Sequence, residues 1–435
     1  MKTKFVIKAF TALCILSLVL SGCSLNGGES ESIYSEDSSN TPDDSNIIGN
    51  SGNDSENIGT IDYGSLSIKK FEKTVDSEGI NLTDMVGDKN LYPFAMDNNY
   101  LYLGNGDYPV IYTGISRKDF SKTEIMTYDM DVEYPGYNKN TYCGCVFSFP
   151  CYGNPYSDVH MRALVGKVGE ESKCILEKEV GTSIEAYPAE LSDTEMVFAC
   201  DSERKDGLSE ELYKYRVGDE QAKLIYTLET NERGSIGVTC YNGEIYIIYK
   251  VNGSDTGLQE VSNRNETLLC VKRLNANGEE ISSEIFKLPE FSYTTSLWDF
   301  TVTENNYIIR FAFPSTSETE AHNKSLVINR KSKKTSTYFT LGNRFNDYRI
   351  DDRYILFDYY DGSSKSNSQI CVFDDKELEF HILSFTSLKD VNVCNVVADS
   401  KGDVLFVIKD DKEDINVKTD TFSMVLFEDV VSLIR

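Results

Sequence analysis

The sequence contains few histidines and lacks a common nucleophile motif. Only three histidines occur in 435 residues, and the chain has no Gly-x-Ser-x-Gly segment. His381 lies in an apolar stretch and is interpreted as structural. Nucleophilic catalysis therefore has little support. A pair of carboxylates that cleaves a glycosidic bond stays a possibility. The distance between two such groups depends on the folded structure, and the chain has 70 acidic residues.

Positive charge is also scarce. The chain has 43 Lys and Arg against 70 Asp and Glu, a formal net charge of −27. Phosphate binding needs clustered basic side chains, so we expect no nucleic-acid partner. For the same reason we do not expect the polypeptide to adsorb to an anionic lipid surface.

The sequence has no apolar run long enough to span a bilayer. A basic start with Lys2, Lys4 and Lys8 precedes an apolar run over residues 9–20, which is typical of a secretory signal peptide. The next residues, Leu20-Ser21-Gly22-Cys23, resemble the lipobox of bacterial lipoproteins. That resemblance implies a diacylglyceryl group on Cys23 and a mature chain starting there. The alternative is an ordinary signal peptide whose apolar run ends near a cysteine.

The lipobox resemblance predicts a protein on the extracytoplasmic face of the cell membrane, held by two or three acyl chains. Removing residues 1–22, with three lysines and no acids, would change the net charge from −27 to −30. Membrane attachment would then depend on the lipid, since the polypeptide charge opposes adsorption.

Residues 24–62 contain neither Lys nor Arg, but nine Ser, six Asn, five Gly and nine acids. Such a segment cannot bury enough apolar surface to offset its ordering entropy. We predict a disordered acidic linker over residues 23–62, with an end-to-end distance of roughly 35 Å by random-coil scaling. The sequence thus divides into a signal peptide (1–22), this linker and a folded domain (63–435).

The chain has eleven cysteines. Nine would remain available for disulfide bonds once Cys14 is removed with the signal peptide and Cys23 is lipidated. A disulfide framework is usual in small exported domains, but a chain of this length can bury a large core. Most of the cysteines lie in apolar, strand-like runs, so buried thiols are the favoured interpretation.

From residue 63 the sequence shows short alternating apolar runs broken by Asn, Asp and Gly, which indicate an all-β domain. A turn followed by an apolar strand recurs seven times at a spacing of about 50 residues. The copies begin at Asn98, Asn140, Asp193, Asn242, Asn305, Asp352 and Lys401. Each is followed by a second hairpin-like pair, so each unit reads as four antiparallel strands.

Seven four-stranded units resemble a seven-bladed β-propeller, an architecture that removes long free sheet edges by radial closure. The chain carries no Trp-Asp dipeptide, kelch pattern or Asp-box, so the resemblance assigns no family. Tandem β-sandwiches are the alternative, although they need no 50-residue period. Residues Leu66 to Phe71 are predicted to complete the last blade and close the ring.

Candidate ligand-binding residues come from loop topology alone. In a propeller the loop between the second and third strands of a blade lies on the same face as the loop to the next blade. Aromatic rings on that face could stack on the apolar face of a sugar, and neighbouring Asn and Asp side chains could form hydrogen bonds with its hydroxyl groups. The alternative is packing between blades, since the chain has 27 Tyr and 22 Phe. The candidates are Tyr152, Asn154, Tyr156, Asp358, Tyr359, Tyr360 and Asp361.

Two further groups have the residue types of metal sites. Cys143, Cys145, Cys151 and His160 could suit zinc or copper(I), but their spacing matches no zinc motif, and a buried thiol pair or a Cys145 to Cys151 crosslink is favoured. The alternating acids at 129, 131 and 133 lack the glycine and distal glutamate of a calcium loop. We therefore expect no metal and no cofactor.

The leading hypothesis is a lipid-anchored extracytoplasmic protein that acts as a ligand-binding or protein-interaction scaffold. A surface carbohydrate-acting hydrolase or lyase on the same fold is the alternative. A third possibility is a subunit of an envelope complex. The expected partners are the membrane, through the anchor, and a glycan or envelope protein.

Overall fold

The computed structural model describes residues 64–86, 91–105, 109–128, 139–154, 158–180, 186–204, 207–230, 236–252, 267–288, 290–292, 294–313, 322–339, 348–359, 369–389, 391–409 and 422–435. Almost all of the regular structure in these ranges is β-strand. The signal peptide and linker predicted for residues 1–62, including Cys23, lie outside them. None of the helices in the described ranges has the length and apolar character needed to cross a bilayer.

The elements occur in the following order along the chain. The N-terminal elements are β1 (Lys69–Val75), β2 (Ile80–Asn81) and the short helix α1 (Thr83–Val86). Blade 1 comprises β3 (Tyr92–Met96), β4 (Tyr100–Gly104), β5 (Val110–Ser116) and β6 (Lys122–Tyr128). Blade 2 comprises β7 (Lys139–Tyr142), β8 (Cys145–Ser148), β9 (Cys151–Asn154), β10 (Asp158–Gly166) and β11 (Lys173–Val180). Blade 3 comprises β12 (Ala186–Ser192), β13 (Glu195–Arg204), β14 (Gly207–Arg216) and β15 (Lys223–Thr230).

The remaining blades follow in sequence. Blade 4 comprises β16 (Gly237–Tyr241), β17 (Glu244–Asn252), β18 (Thr267–Leu274) and β19 (Glu280–Phe286). Blade 5 comprises β20 (Ser296–Val302), β21 (Asn306–Phe313) and β22 (His322–Asn329). Blade 6 comprises β23 (Tyr348–Arg349), β24 (Tyr354–Tyr359), β25 (Gln369–Asp374) and β26 (Glu379–Phe385). Blade 7 comprises β27 (Val393–Ala398), β28 (Val404–Lys409) and β29 (Phe422–Phe427). Two 3₁₀ helices, Thr386–Leu388 and Val430–Leu433, complete the described elements.

Apart from β8 and β9 of blade 2, strands that are consecutive within a blade pair antiparallel with each other, and the seven sheets form a seven-bladed β-propeller. This confirms the predicted fold and rules out the tandem sandwiches. In blade 5, isolated bridges from Thr335 and Phe339 to β22 take the place of a regular fourth strand. In blade 2 the strand that pairs with β10 is interrupted at residues 149–150. Its two parts, β8 and β9, both pair with β10.

Tight turns explain why the repeat is visible in the sequence. Asn242 and Gly243, between β16 and β17, both adopt left-handed backbone angles, φ 51° and 72°. Two consecutive positive φ values are what a two-residue hairpin loop requires, and Asn-Gly supplies them at little steric cost. The chain therefore reverses at a position that its local sequence marks.

The core consists of seven hydrophobic clusters in the described part of the chain, one for each pair of adjacent blades. Alternate residues of a strand belong to different clusters. Tyr246 and Ile248 pack against blade 5, whereas Ile245 and Ile247 pack against blade 3. The second strands are apolar almost throughout because both of their faces are buried. One cluster joins blade 7 to blade 1, so the ring is closed.

Residues 64–86, which we call the N-terminal strap, run along the outer edges of three blades. Ser65 bridges Thr335 in blade 5, β1 pairs parallel with β26 of blade 6, and β2 pairs antiparallel with β29 of blade 7. The strap also places Leu82 and Val86 in the cluster between blades 7 and 1. It thereby covers edges that would otherwise be open to pairing.

The prediction that Leu66 to Phe71 complete the last blade is wrong. Residues 69–75 form a fifth, parallel strand on blade 6, and Ile80–Asn81 supply the fourth strand of blade 7. A strand in the first part of the domain can pair with any open outer edge. Its alternation of side chains does not indicate which edge it meets.

The predicted repeat is also displaced in blade 2. Residues 139–142 form the first strand, not the second, and the chain turns at Cys143 and Gly144, where φ is 54° and 68°. These two residues occupy the hairpin positions that Asn242 and Gly243 occupy in blade 4. A cysteine is an unusual residue at a left-handed position, so the local sequence does not mark this turn.

Ion pairs also join the last blade to the first. Arg117, which follows β5, bonds Asp399 through Nη1 and Asp403 through Nη2, each at 2.5 Å. Both acids belong to the turn between β27 and β28, and the Asp399 side chain is completely buried. The same guanidinium donates to the Asp97 carbonyl oxygen at 2.8 Å. Arg117 therefore satisfies acceptors in blades 1 and 7 together.

Candidate functional site

Tyr152, one of the predicted ligand-binding residues, lies in a network of side chains within blade 2. Its ring stacks on His160 with centroids 5.2 Å apart, and the Arg162 guanidinium lies 4.7 Å from its centroid. Its hydroxyl donates to Glu177, which also accepts from Arg162 Nε at 3.2 Å. The ring and the hydroxyl are thus both engaged by residues of the same blade.

Asp358 and Tyr359 are the last residues of β24, not of an exposed loop. Asp358 is buried, and its Oδ1 lies 4.0 Å from Arg310 Nη1. Tyr359 is half-buried against the cluster between blades 5 and 6, and its hydroxyl accepts from Lys70 Nζ at 3.2 Å. Both residues lie at the end of β24 that leads into the loop between the second and third strands of blade 6.

The remaining candidates fall outside what can be described. Tyr156, Tyr360 and Asp361 are outside the described residues, as is the side chain of Asn154. The Tyr152 hydroxyl bonds a residue of blade 2, whereas the Tyr359 hydroxyl bonds a residue of the strap. Ligand binding at these residues stays a prediction.

The cysteine group does not form a metal site. Cys145 and Cys151 are buried together between blades 2 and 3, whereas His160 stacks on Tyr152. Cys145 Sγ lies 3.7 Å from the Cys143 carbonyl and Cys151 Sγ 3.9 Å from the Phe149 carbonyl, so both are thiols without the predicted crosslink. Burial raises the pKa of Cys151 to about 12, which favours the thiol over the thiolate that a metal needs. Among the described residues no group of three His, Cys, Asp or Glu side chains could hold a metal ion.

A charged pocket of about 510 Å³ lies on the opposite face of blade 6 from the predicted rim. We call this the turn face, because it carries the turns between the first and second and between the third and fourth strands of each blade. The pocket is lined by residues of two such turns, of β26 and of the segment after the last 3₁₀ helix. They are Asp351, Arg353, Tyr354, Asp374, Glu377, Glu379, His381, Ile434 and Arg435.

One side of the pocket is built around Arg353. Its guanidinium donates to both oxygens of Asp374, with Nε 2.9 Å from Oδ1 and Nη2 2.6 Å from Oδ2. Burial alone would raise the pKa of Asp374, but the hydrogen bonds and charge of Arg353, together with the backbone N–H groups of Glu377 and Lys376, outweigh it, and the pKa is lowered. The Arg353 and Arg435 guanidiniums lie 5.0 and 5.2 Å from the Tyr354 ring centroid. At neutral pH this wall therefore presents a fixed ion pair beside an aromatic ring.

The other side is built around Glu379. Its Oε1 accepts from Lys69 of the strap at 3.0 Å, and its Oε2 lies 3.3 Å from His381 Nε2. His381 also stacks on Phe71 of the strap, with centroids 5.1 Å apart. The histidine interpreted as structural therefore lines the pocket. The strap contributes to the pocket through its contacts with Glu379 and His381.

The ligand-binding residues predicted from the sequence lie on the face opposite this pocket, that of the loops between the second and third strands. The only local signal is a concentration of charge in the two turns, at 351–353 and at 374–379. Charge runs in turns are usually solvated. Only the propeller geometry brings these turns together with residues 434 and 435.

The fold and this site define a seven-bladed β-propeller with a charged pocket on the turn face of blade 6. No protein-family model and no curated protein matches the chain. Among solved structures, an oligogalacturonate lyase from Vibrio parahaemolyticus is 11% identical with a TM-score of 0.41, covering 77% of this chain and 88% of that one.

Two other solved structures show the same level of likeness. The β-propeller domain of the Trilobed protease from Pyrococcus furiosus is 12% identical with a TM-score of 0.41, covering 69% of this chain and 82% of that one. The GH93 alpha-L-arabinofuranosidase of Fusarium graminearum is 11% identical with a TM-score of 0.36, covering 67% and 91%. The propeller assignment rests on strand pairing, because likeness at this level carries no further conclusion.

Proposed function

We propose that this chain is a lipid-anchored extracytoplasmic binding protein whose propeller recognises a polar ligand or partner through the blade 6 pocket. The lipobox resemblance at Leu20-Ser21-Gly22-Cys23 supports the anchor, and the acidic linker would separate the domain from the membrane surface.

The pocket is the observation that carries the binding function. Four carboxylates, two guanidiniums, a tyrosine and a histidine line one concave site, so a ligand would meet both hydrogen-bond acceptors and donors. A glycosidase needs one carboxyl group that keeps its proton at neutral pH. The lowered pKa of Asp374 keeps that carboxyl ionised, which supports recognition over acid catalysis at this position.

The anchor predicts that Cys23→Ala will release the protein from the membrane. Acyl chains provide the strong attachment, since each buried methylene contributes about 0.8 kcal/mol, and the acidic chain has no electrostatic attraction to anionic lipid. Cell fractionation followed by a high-salt wash measures the distribution. Retention of Cys23→Ala in the washed membrane pellet would overturn the lipobox interpretation.

The pocket predicts a charge-reversal effect at Glu377. Glu377 is exposed and its side chain forms no hydrogen bond or ion pair with the described residues, so Glu377→Lys should leave folding intact. Placing a positive charge in a site that recognises its ligand partly through carboxylates should weaken binding tenfold or more, equivalent to about 1.4 kcal/mol. The measurement is the amount of ligand or partner that co-purifies with the detergent-solubilised lipoprotein.

Glu220→Lys is the matched control, because Glu220 is an exposed residue of the corresponding turn in blade 3. It should retain what the unmodified protein retains. Equal recovery with both variants would remove the pocket from the proposal without affecting the anchor. Product release from a co-purified glycan would instead support the carbohydrate-acting alternative.

A further inference from the structure

Two arginines contact the same tyrosine on the turn face, where residues of blades 4, 5 and 6 come together. Arg330 follows β22 and Arg349 ends β23. Their guanidinium carbons lie 5.6 Å and 4.8 Å from the ring centroid of one residue, Tyr241 at the end of β16. Three blades therefore position two positive charges around a single tyrosine.

Neutral groups accept the hydrogen bonds of these arginines. Arg330 donates to the Thr303 carbonyl at 2.5 Å and to the Tyr246 hydroxyl at 2.6 Å. Arg349 donates to the Val302 carbonyl and, at 3.4 Å, to the Cys240 carbonyl. These bonds orient both guanidiniums, and the nearest carboxylate to Arg330 along them is Glu244, which accepts from the Tyr246 hydroxyl at 2.9 Å and not from Arg330 itself.

Other arginines of the described residues show the contrast. Arg117 pairs with Asp399 and Asp403, Arg273 with Glu244 at 2.5 Å, and Arg353 with Asp374 at 2.6 Å. Within the described ranges, neither Arg330 nor Arg349 forms an ion pair. The chain has a net charge of −27, so acidic side chains are abundant. Even so, these two half-buried arginines form no ion pair with a described carboxylate.

The Arg349 guanidinium is partly buried without an ion-pair partner, which is unfavourable for its charge. Its Nε is buried and has no hydrogen-bond partner in the described part of the chain. Burial lowers the pKa of Arg349, although Tyr241 and the nearby acids Asp352 and Asp375 act in the opposite direction. A buried charge is normally stabilised by a counter-charge, and none of the nearby acids forms an ion pair with it.

The turn that carries Arg330 extends the positive surface. It reads Arg330-Lys331-Ser332-Lys333-Lys334, and only Lys333 forms a described ion pair, with Glu284 at 2.5 Å. Lys331 and Lys334 are exposed. Acids also lie near the arginines, since burial raises the pKa of Tyr241 and the charges of Asp352 and Glu304 raise it further.

We propose that Arg330 and Arg349 form a binding site for an oxyanion, the carboxylate or phosphate group of a ligand. A guanidinium presents a planar set of donors that matches such a group, and aromatic contacts hold both guanidiniums in place before the ligand arrives. This site is distinct from the blade 6 pocket, and the inference does not rest on the proposed function.

The test measures thermal unfolding of the full chain in increasing sodium phosphate, with ionic strength held constant by sodium chloride. Binding to the folded state raises Tm by mass action, and we expect a saturable rise of about 2–5 °C. Arg330→Met and Arg349→Met should each lose the saturable part. Arg216→Met is the matched control, because Arg216 is exposed and has no described ion pair. Phosphate also stabilises proteins without binding, but that effect is common to all variants.

A parallel titration with sodium acetate distinguishes the two ligand groups. A saturable rise with both salts supports a carboxylate-binding site, and a rise with phosphate alone supports a phosphoryl-binding site. Should Arg349→Met fail to fold, Arg349→Lys keeps the charge but loses the fork of donors and should show a weaker response. No saturable rise with either salt overturns the proposal. So does a rise that both arginine variants retain in full.

Discussion

Arg117→Ala is expected to lower the free energy of unfolding by about 3–5 kcal/mol, because it leaves two carboxylates without their counter-charge at the junction of the first and last blades. The Asp399 side chain is fully buried, that of Asp403 is 11% exposed, and each lies 2.5 Å from the guanidinium. The substitution also removes the donor to the Asp97 carbonyl. Chemical denaturation followed by tyrosine fluorescence or circular dichroism measures the change.

Arg162→Ala provides the matched control. Arg162 also pairs with a carboxylate, Glu177 at 3.2 Å, but the side chains are 47% and 46% exposed. Exposed ion pairs typically contribute no more than about 1 kcal/mol, so this variant should be nearly as stable as the unmodified protein. Equal, small effects of the two substitutions would show that Arg117 does not stabilise ring closure.

Deleting residues 64–82 is expected to lower Tm by about 10 °C or more, whereas deleting residues 24–60 should leave it nearly unchanged. The first deletion removes β1 and β2 and exposes the outer edges of blades 6 and 7. It also removes Val75 and Leu82 from two different clusters. Loss of a buried aliphatic side chain typically costs 2–5 kcal/mol when Leu or Ile is involved.

The second deletion removes the acidic segment predicted to be disordered, which has too little apolar surface to contribute to a core. Differential scanning calorimetry on both truncated chains makes the comparison. Equal melting temperatures would mean that the strap covers the outer edges of the blades without stabilising the folded domain. In that case the seven clusters and the Arg117 ion pairs would be sufficient to close the ring.

Local sequence was enough to predict the propeller. Asn242 and Gly243 form the turn that they predict, and the strand after them is apolar at consecutive positions because its two faces are buried in different clusters. Turn chemistry and side-chain alternation act over a few residues, so a single sequence contains them. Seven evenly spaced copies then indicate radial closure.

The exceptions show where local information ends. Cys143 and Gly144 adopt the same turn as Asn242 and Gly243 without the residue type that normally marks it, and the repeat was misplaced there. The strap has a strand pattern, but its partners were decided by which outer edges the folded blades left open. Edge pairing uses backbone groups that every residue carries, so the sequence does not specify it.

By itself the sequence determined the blade count and the strong negative charge, which depend on composition or on neighbouring residues, and the leader stays a prediction from the same kind of local information. Only the tertiary structure decided the sites. Arg353, Glu379 and Arg435 meet in one pocket, and Arg330 and Arg349 meet at Tyr241, although each set comes from separate turns or strands. The reason is physical: a propeller brings turns of one face together by packing whole blades, and the long-range contacts that position them leave no pattern in the local sequence.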